Sequence, residues 1–372
     1  MALSQRTLAL SLVASAALLL AACGSAGSAT EEETSPAAQA ASSDASTESS
    51  SEDPQLSGSL TFVNFGGDTM TAAKKGWLEP FTQETGVTFT TDEPGDQAKV
   101  KAMVESGRTT WDVIDYDPTA AGPECGTLYD KRPASFDTSD IDPASITDDC
   151  MVPILGQTVA LVYNKALFGD NPPTSITDFL DTERFPGPRI TFNYWAGTAE
   201  PMLLAAGVDA ESVYPYDWTT LESAVDQLGG DLTFQSTIDQ QVQAQESGDF
   251  AMCLCYLGRS AVAAENGADI GVVWDKIWIG YDGLYAITGS ANPDAQWAFM
   301  QKIATSEGQS PLSMYVAYGP MTTGDFEAPE EFQPFLPGFN QDKITQTSLA
   351  DMAYLSANAA ELSDQWAALT AG

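Results

Sequence analysis

The chain has 372 residues, with 52 acidic against 15 basic side chains, a formal charge of −37 and no histidine. A charge of that sign opposes nucleic acid as a partner, because phosphate neutralisation needs a basic face. The missing imidazole excludes Ser-His-Asp and Cys-His catalysis, His-ligated zinc and histidine proton shuttles.

The N-terminus comes first. Arg6 precedes an apolar stretch from Leu8 to Leu20, and Ala21-Ala22 supply small residues ahead of Cys23. A basic start, a short apolar core and small residues at the cut describe a secretory signal over residues 1–22, too short to span a bilayer comfortably. The Leu-Ala-Ala-Cys ending resembles the lipobox of bacterial lipoproteins, which implies cleavage before Cys23, its lipidation and a membrane anchor on the outer face of the cell membrane. Several acyl chains together hold firmly where one alone gives marginal binding. The segment 23–57 is Ser/Ala-rich and carries seven acids but no base or aromatic residue after Cys23. It has too little apolar surface to offset its ordering entropy, and reads as a disordered, self-repelling spacer.

About 315 residues remain, enough for two lobes. "SLTFVNFGG" (59–67) reads as a strand ending in a glycine turn, and 71–85 as a helix with Trp77, Leu78 and Phe81 on one side. "VTFTTDE" is a strand, "AKVKAMVES" a helix and "WDVIDYD" (111–117) a third strand. Strands separated by helices argue for βαβ units and a mainly parallel sheet, an α/β fold. A Pro/Asp-rich passage interrupts at 117–150, and "TVALVYNK" (158–165) restarts the strands. "SITDFLDTERFPGPRITFNYW" gives a helix, a turn and a strand, and Leu221, Ala224, Val225 and Leu228 recur at helical spacing. "IDQQVQAQESG", "DFAMCLCYLG", "SAVAAENG" and "DIGVVW" then alternate helix and strand, and "YDGLYAITGSANPDAQWAFMQKIAT" returns as strand, turn and helix. Two further helices close the chain, one starting near Asn340. The plan is two hinged lobes around a cleft: 58–156 with 283–338, then 157–282, with C-terminal helices at 339–372. Ligands of open α/β sheets sit beyond the carboxyl ends of strands, so the residues after "VNF", "VIDYD", "ITFNYW" and "CLCYLG" are the places to look.

Cys125 and Cys150 lie 25 residues apart in an exported chain, and a disulfide is the natural reading. Cys253 and Cys255 sit two apart in a strand-like run, so both thiols face one way. Two buried free thiols and a bridge between them are the alternatives. No metal site and no cofactor are expected. Gly66-Gly67 lacks the spacing of a phosphate loop.

The lipobox, "FGGDTMTAAKKGWLEPFTQETGV", "WDVIDYD", "VPILGQTVALVYNKALF", "FPGPRITF", "SGDFAMCLCYLGRSAVA", "IGVVWDKIWIGYDGLYAITGSANPDAQWAFMQKI" and "YVAYGPMT" occur in that order. Over 59–366 the chain resembles the extracellular solute-binding proteins of ABC importers, in particular the spermidine/putrescine-type group. The resemblance implies a two-lobed type II periplasmic-binding fold, a monomer that closes on a solute and hands it to permease subunits, and no chemistry on the solute. Polyamine binders hold amines with carboxylates and sandwich the methylenes between rings. Asp282 matches the family aspartate that meets an amine, Tyr318 a pocket tyrosine, and Tyr256 a position usually held by tryptophan. Tyr116 and Asp117 fall where a serine and a tyrosine line the cleft, and Asn193 and Tyr194 where acids often sit. Gly280 stands where the group carries tryptophan, and Gly66-Gly67-Asp68 replaces an aromatic-hydroxyl pair, with Asp68 a replacement carboxylate. A polyamine-like cation is the expected solute, with another small cation, an amino-acid-like solute or another polar metabolite left open.

Asp282, Asp117 and Asp68 each have a bland alternative as turn or helix caps, and Trp195, Trp274 and Trp278 as core or rim residues. The rival reading is a secreted two-carboxylate glycosidase, for which Asp115 and Asp117 are available. Alternation puts both on one strand face, which argues against an acid–base pair across a sugar.

Overall fold

A computed structural model describes residues 56–371. The signal, Cys23 and nearly all of the spacer lie outside the described residues. Strands β1 (Ser59–Val63), β2 (Thr88–Asp92) and β3 (Val113–Tyr116) pair in parallel with β1 central. Between β1 and β2 runs a helical stretch, Gly67–Thr85, with a π-turn at Lys74–Leu78. It buries Trp77, Leu78 and Phe81, and Phe81 meets Phe299 edge-on at 5.3 Å. Asp96 caps the next helix, Gln97–Ser106, by accepting from the Ala98 and Lys99 amides, satisfying two otherwise orphan donors.

A second group of strands is built the same way. β5 (Arg189–Phe192) lies parallel to both β6 (Leu232–Gln235) and β7 (Met252–Tyr256). A Thr237–Gln240 capping box opens the helix Ile238–Ser247, and the helix Leu257–Glu265 follows β7 directly.

Two long strands join the groups. β4 (Val152–Asn164) and β8 (Ile270–Ala286) run antiparallel to each other, and β8 also pairs antiparallel with β3, β4 with β7. The sheet order is β2-β1-β3-β8-β4-β7-β5-β6, so β8 and β4 belong to both halves. The sheet is therefore mixed rather than mainly parallel, and "DIGVVW" and "YDGLYA", read separately from the sequence, are one strand. The β4–β8 ladder slips between Ile154 and Gly156 and again between Val159 and Leu161. At the first slip Leu155 has φ 51°, a left-handed conformation that a side-chain-bearing residue adopts at a cost.

The chain's end differs from expectation. Where two closing helices were expected from 339, the structure has a 3-10 turn at Gln341–Lys343, strand β9 (Gln346–Leu349) parallel to β8, and one helix, Met352–Thr370. Helix Ala199–Ala205, strand β6 and strand β9 are additions to the reading above. β6 is mostly half-exposed and short, so it carries little apolar signal.

Cys125 and Cys150 are bonded, with Cα atoms 5.7 Å apart, and tie the strandless passage after β3 to the start of β4. Cys253 and Cys255, both fully buried on β7, are also paired. Closing the Cys125–Cys150 loop stabilises by roughly 3 kcal/mol on the chain-entropy model. The double variant Cys125→Ser/Cys150→Ser is therefore expected to lose about that much in urea unfolding; unaltered stability would show that the bridge constrains nothing.

Candidate functional site

A cavity of about 380 Å³ opens where the two halves of the sheet meet. Its floor comes from the strand crossing: Leu155 and Gln157 of β4, and Trp278, Gly280, Tyr281 and Asp282 of β8. One side carries Phe65, Thr69 and Asp117, the other Tyr194, Tyr256 and Arg259, and Tyr318 completes the lining.

Five of the eight candidate residues are brought together. Asp282 is 8% exposed and its Oδ2 accepts from Gln157 Nε2 at 2.7 Å. Burial pushes its carboxyl up to about 7, the charge of Asp117 adding to the effect and the Gln157 bond opposing it. Asp117 does two jobs: Oδ1 accepts from the amide and hydroxyl of Thr119, both at 2.8 Å, capping the helix Pro118–Ala121, while the residue lines the cavity. Tyr256 donates to the Ala196 carbonyl at 3.3 Å, and Tyr194 presents its ring at the mouth. Tyr318 is buried, which raises its hydroxyl pKa; Arg259 nearby works in the opposite direction.

The other three do not line the cavity. Asp68 is exposed on the first turn of the helix after β1, and its neighbours Gly66 and Thr69 take the lining positions. Tyr116 stacks behind Phe65 at 5.9 Å, so Phe65 is the ring the cavity meets. Asn193 is turned away, its Oδ1 accepting from Trp366 Nε1 at 2.9 Å.

Of four important residues outside the candidate set, Arg259, Gln157 and Glu200 escaped the sequence reading and Trp278 was read as core or rim. Arg259 sits in the first turn of the helix Leu257–Glu265, where the helix dipole disfavours a cation. That misplaced charge was the available signal, because stability gives no reason for it. Among the described residues Arg259 forms no ion pair. Gln157 and Trp278 lie mid-strand, and only the long-range β4–β8 pairing brings them to one place. Trp278 is 4% exposed and still lines the cavity. Its indole covers Gly280, where a Cβ would stand 2.9 Å from Cζ3, so Trp278 fills the space a side chain at 280 would take.

Glu200 is the fourth. Fully buried, it accepts from the Gly197 amide at 2.7 Å, from the Tyr214 hydroxyl at 3.0 Å and from the Tyr216 hydroxyl. Tyr214 in turn accepts from Trp278 Nε1 at 3.0 Å. One carboxyl thus fixes both the 194–197 turn and the Trp278 indole. Gly197 has φ 76° and its missing Cβ leaves room for the Tyr256 hydroxyl.

The cavity, the strand crossing and the paired halves define a two-lobed α/β solute-binding architecture of the type II periplasmic-binding class. Comparison with known proteins agrees. The family model for bacterial extracellular solute-binding proteins matches residues 76–334, and this chain belongs to that family. It is a substrate-binding protein of an ABC transporter and not an enzyme, which removes the glycosidase reading. A γ-aminobutyric acid-binding protein of Pseudomonas aeruginosa is 29% identical over 76% of this chain and 82% of its own length. A solved GABA receptor, Atu4243, is 28% identical, with a TM-score of 0.71 over 84% of this chain and 97% of that one. An ABC transporter substrate-binding protein from Bradyrhizobium japonicum shares the fold, at 24% identity and a TM-score of 0.74 over 84% and 99% of the two chains.

Burial pushes Glu200 up to about 7, against the hydrogen bonds that favour its charged form. The unfolded chain releases that proton near 4.5. Between these values the folded state holds the extra proton, so stability falls as pH rises through the window and levels above it. The Glu200 share is at most about 3 kcal/mol. Glu200→Gln is expected to flatten the fall in urea-unfolding stability between about pH 5 and pH 7; an unchanged slope would remove Glu200 as its source.

Proposed function

We propose that the cavity captures a short zwitterion with an ammonium at one end and a carboxylate at the other, a γ-aminobutyrate-like ω-amino acid. One observation carries the reading: a single small cavity holds two acids, Asp117 and Asp282, and one guanidinium, Arg259, with no ion pair between them among the described residues. Charges left unpaired in a semi-buried site are costly unless a ligand supplies the partners. The ammonium belongs at Asp282 and Asp117, the carboxylate at Arg259, whose fork suits bidentate pairing. Phe65, Phe192, Tyr194, Tyr256 and Trp278 line the space between for methylenes. The names of the two γ-aminobutyrate-binding relatives support the same class.

A diamine or polyamine is the second reading, favoured by the excess of acids over bases in the lining. Its far ammonium would meet Arg259, and like charges repel. In either case the two halves close about β4 near 155–158 and β8 near 276–283, because a ligand shifts a hinge only by binding the closed state better. The closed protein passes its solute to the permease subunits. Cys23 is the lipid attachment and residues 24–57 the tether; [3H]palmitate should label the wild type and not Cys23→Ala, and equal labelling would end that assignment.

Titration calorimetry with γ-aminobutyrate, n-butylamine, butyrate and putrescine separates the solute readings. γ-Aminobutyrate is expected to bind, each half-analogue at least about tenfold more weakly, and Arg259→Gln to cost about 2 kcal/mol. Asp282→Asn should weaken every amine. Putrescine binding more tightly than γ-aminobutyrate, and undiminished in Arg259→Gln, would overturn the zwitterion in favour of the diamine.

A further inference from the structure

Asp115 stands outside the cavity lining yet shares a sheet face with both acids of the site. Antiparallel register pairs Asp115 with Leu284 and Tyr116 with Gly283, so Asp117 continues opposite Asp282 and Asp115 lies diagonal to it. Residues opposite one another in such a ladder point the same way, and diagonal neighbours stand about 7–8 Å apart, less between side chains.

The pair is poorly compensated. Asp115 is 1% exposed, and its Oδ1 has no hydrogen-bond partner among the described residues. Asp282, 8% exposed, accepts from Gln157. None of the ion pairs among the described residues includes Asp115, Asp117 or Asp282. The other ionisable groups around this corner are Asp117 at the end of β3, Tyr256 at the end of β7, Tyr318 from the turn beyond Val316, Asp68 on the first helix and Arg259 on the helix after β7. Only Arg259 is cationic, and it acts on Tyr318 rather than on the buried acids. Two neighbouring carboxylates with no base beside them cannot both stay charged at modest cost. A proton, or a cation from outside, has to offset one of the charges. Burial holds both carboxyls above their ordinary range, Asp115 well above, with Asp282 adding to the effect at Asp115 and Asp117 adding to it at Asp282.

We propose that Asp115 completes the amine site from behind the cavity: in the empty protein the neighbouring Asp115 and Asp282 carboxyls together hold an exchangeable proton, and the ammonium arriving at Asp282 expels it. The exchange balances, since the ammonium enters with its own charge intact and one proton leaves to solvent for each ammonium bound. Asp115 is then a positioning and specificity residue, which touches the solute only through Asp282. Neutral solutes of the same shape cannot drive the exchange. Affinity should fall about tenfold per pH unit below neutrality, where protons compete for the same carboxylates. This inference rests on the reading of Asp282 as the ammonium contact.

Calorimetry at about pH 6, in phosphate and in imidazole buffers, tests it with γ-aminobutyrate and putrescine as probes. The two buffers differ in ionisation enthalpy, so proton release appears as a buffer-dependent heat. About one proton per molecule bound is expected in the wild type. Asp115→Asn should lower that release measurably and flatten the pH profile of affinity, with burial and Asp117 still holding part of the proton on Asp282. Binding of either probe with buffer-independent heat overturns the exchange and leaves the amine reading intact; failure of both probes to bind overturns both. Release undiminished in Asp115→Asn assigns the proton elsewhere, Glu200 included, and also overturns the proposal. Should Asp115→Asn not fold, Asp115→Leu, which puts at 115 the residue type its ladder partner Leu284 already has, is read in its place with the same two outcomes.

Discussion

Carboxylates buried without a base beside them are the constraint on which this molecule turns. A folded protein loses stability by drying an acid, and the loss is recovered only through a proton, a donor or a cation. At Asp282 a single amide of Gln157 supplies part of the compensation. Asp115 lacks even that at Oδ1. An interior built for stability alone would hold apolar residues there, as Leu284 does in the same ladder. The acids make sense as half of an interaction whose other half arrives from outside, and Arg259 across the cavity has the same unfinished character with the opposite sign.

The backbone that holds these groups is shared by both halves of the sheet. β4 and β8 carry Leu155, Gln157, Trp278, Gly280 and Asp282 to one crossing, so motion between the halves and the geometry of the site use the same residues. The left-handed Leu155 and the two slips in the β4–β8 ladder break the regular register at this crossing. Around it the site is stiffened from behind. Glu200 grips the 194–197 turn and, through Tyr214, the Trp278 indole, so both sides of the aromatic lining answer to one buried carboxyl.

Much of this was readable from the amino acids, for identifiable reasons. Strands such as "SLTFV" and "MCLCY" are apolar and bounded by turn or cap residues, and helices such as Ile238–Ser247 carry their own capping signals. Asp117, Tyr194, Tyr256 and Tyr318 follow strands or turns where a cleft collects side chains, and Asp282 lies in a motif resembling a known one. What stayed hidden depends on pairing between distant segments. Gln157 and Trp278 look like ordinary strand residues until β4 meets β8. The continuity of β8 through a run of alternating character is likewise decided by its neighbours on both sides. Tyr116 and Asn193 were misread because each was judged by its position after a strand, when partners far away, Phe65 and Trp366, fix where each side chain goes. Arg259 was legible in principle, as a cation in the wrong turn of a helix.

A crystal structure of the γ-aminobutyrate complex is the most direct measurement of the central claim that the cavity is a charge-matched socket. The ammonium nitrogen is expected within about 3 Å of Asp282, on the Asp115 and Asp117 side, with the solute carboxylate forked against Arg259 and its methylenes between the rings. A solute lying with its carboxylate toward Asp282, or held by neither Asp282 nor Arg259, would contradict it.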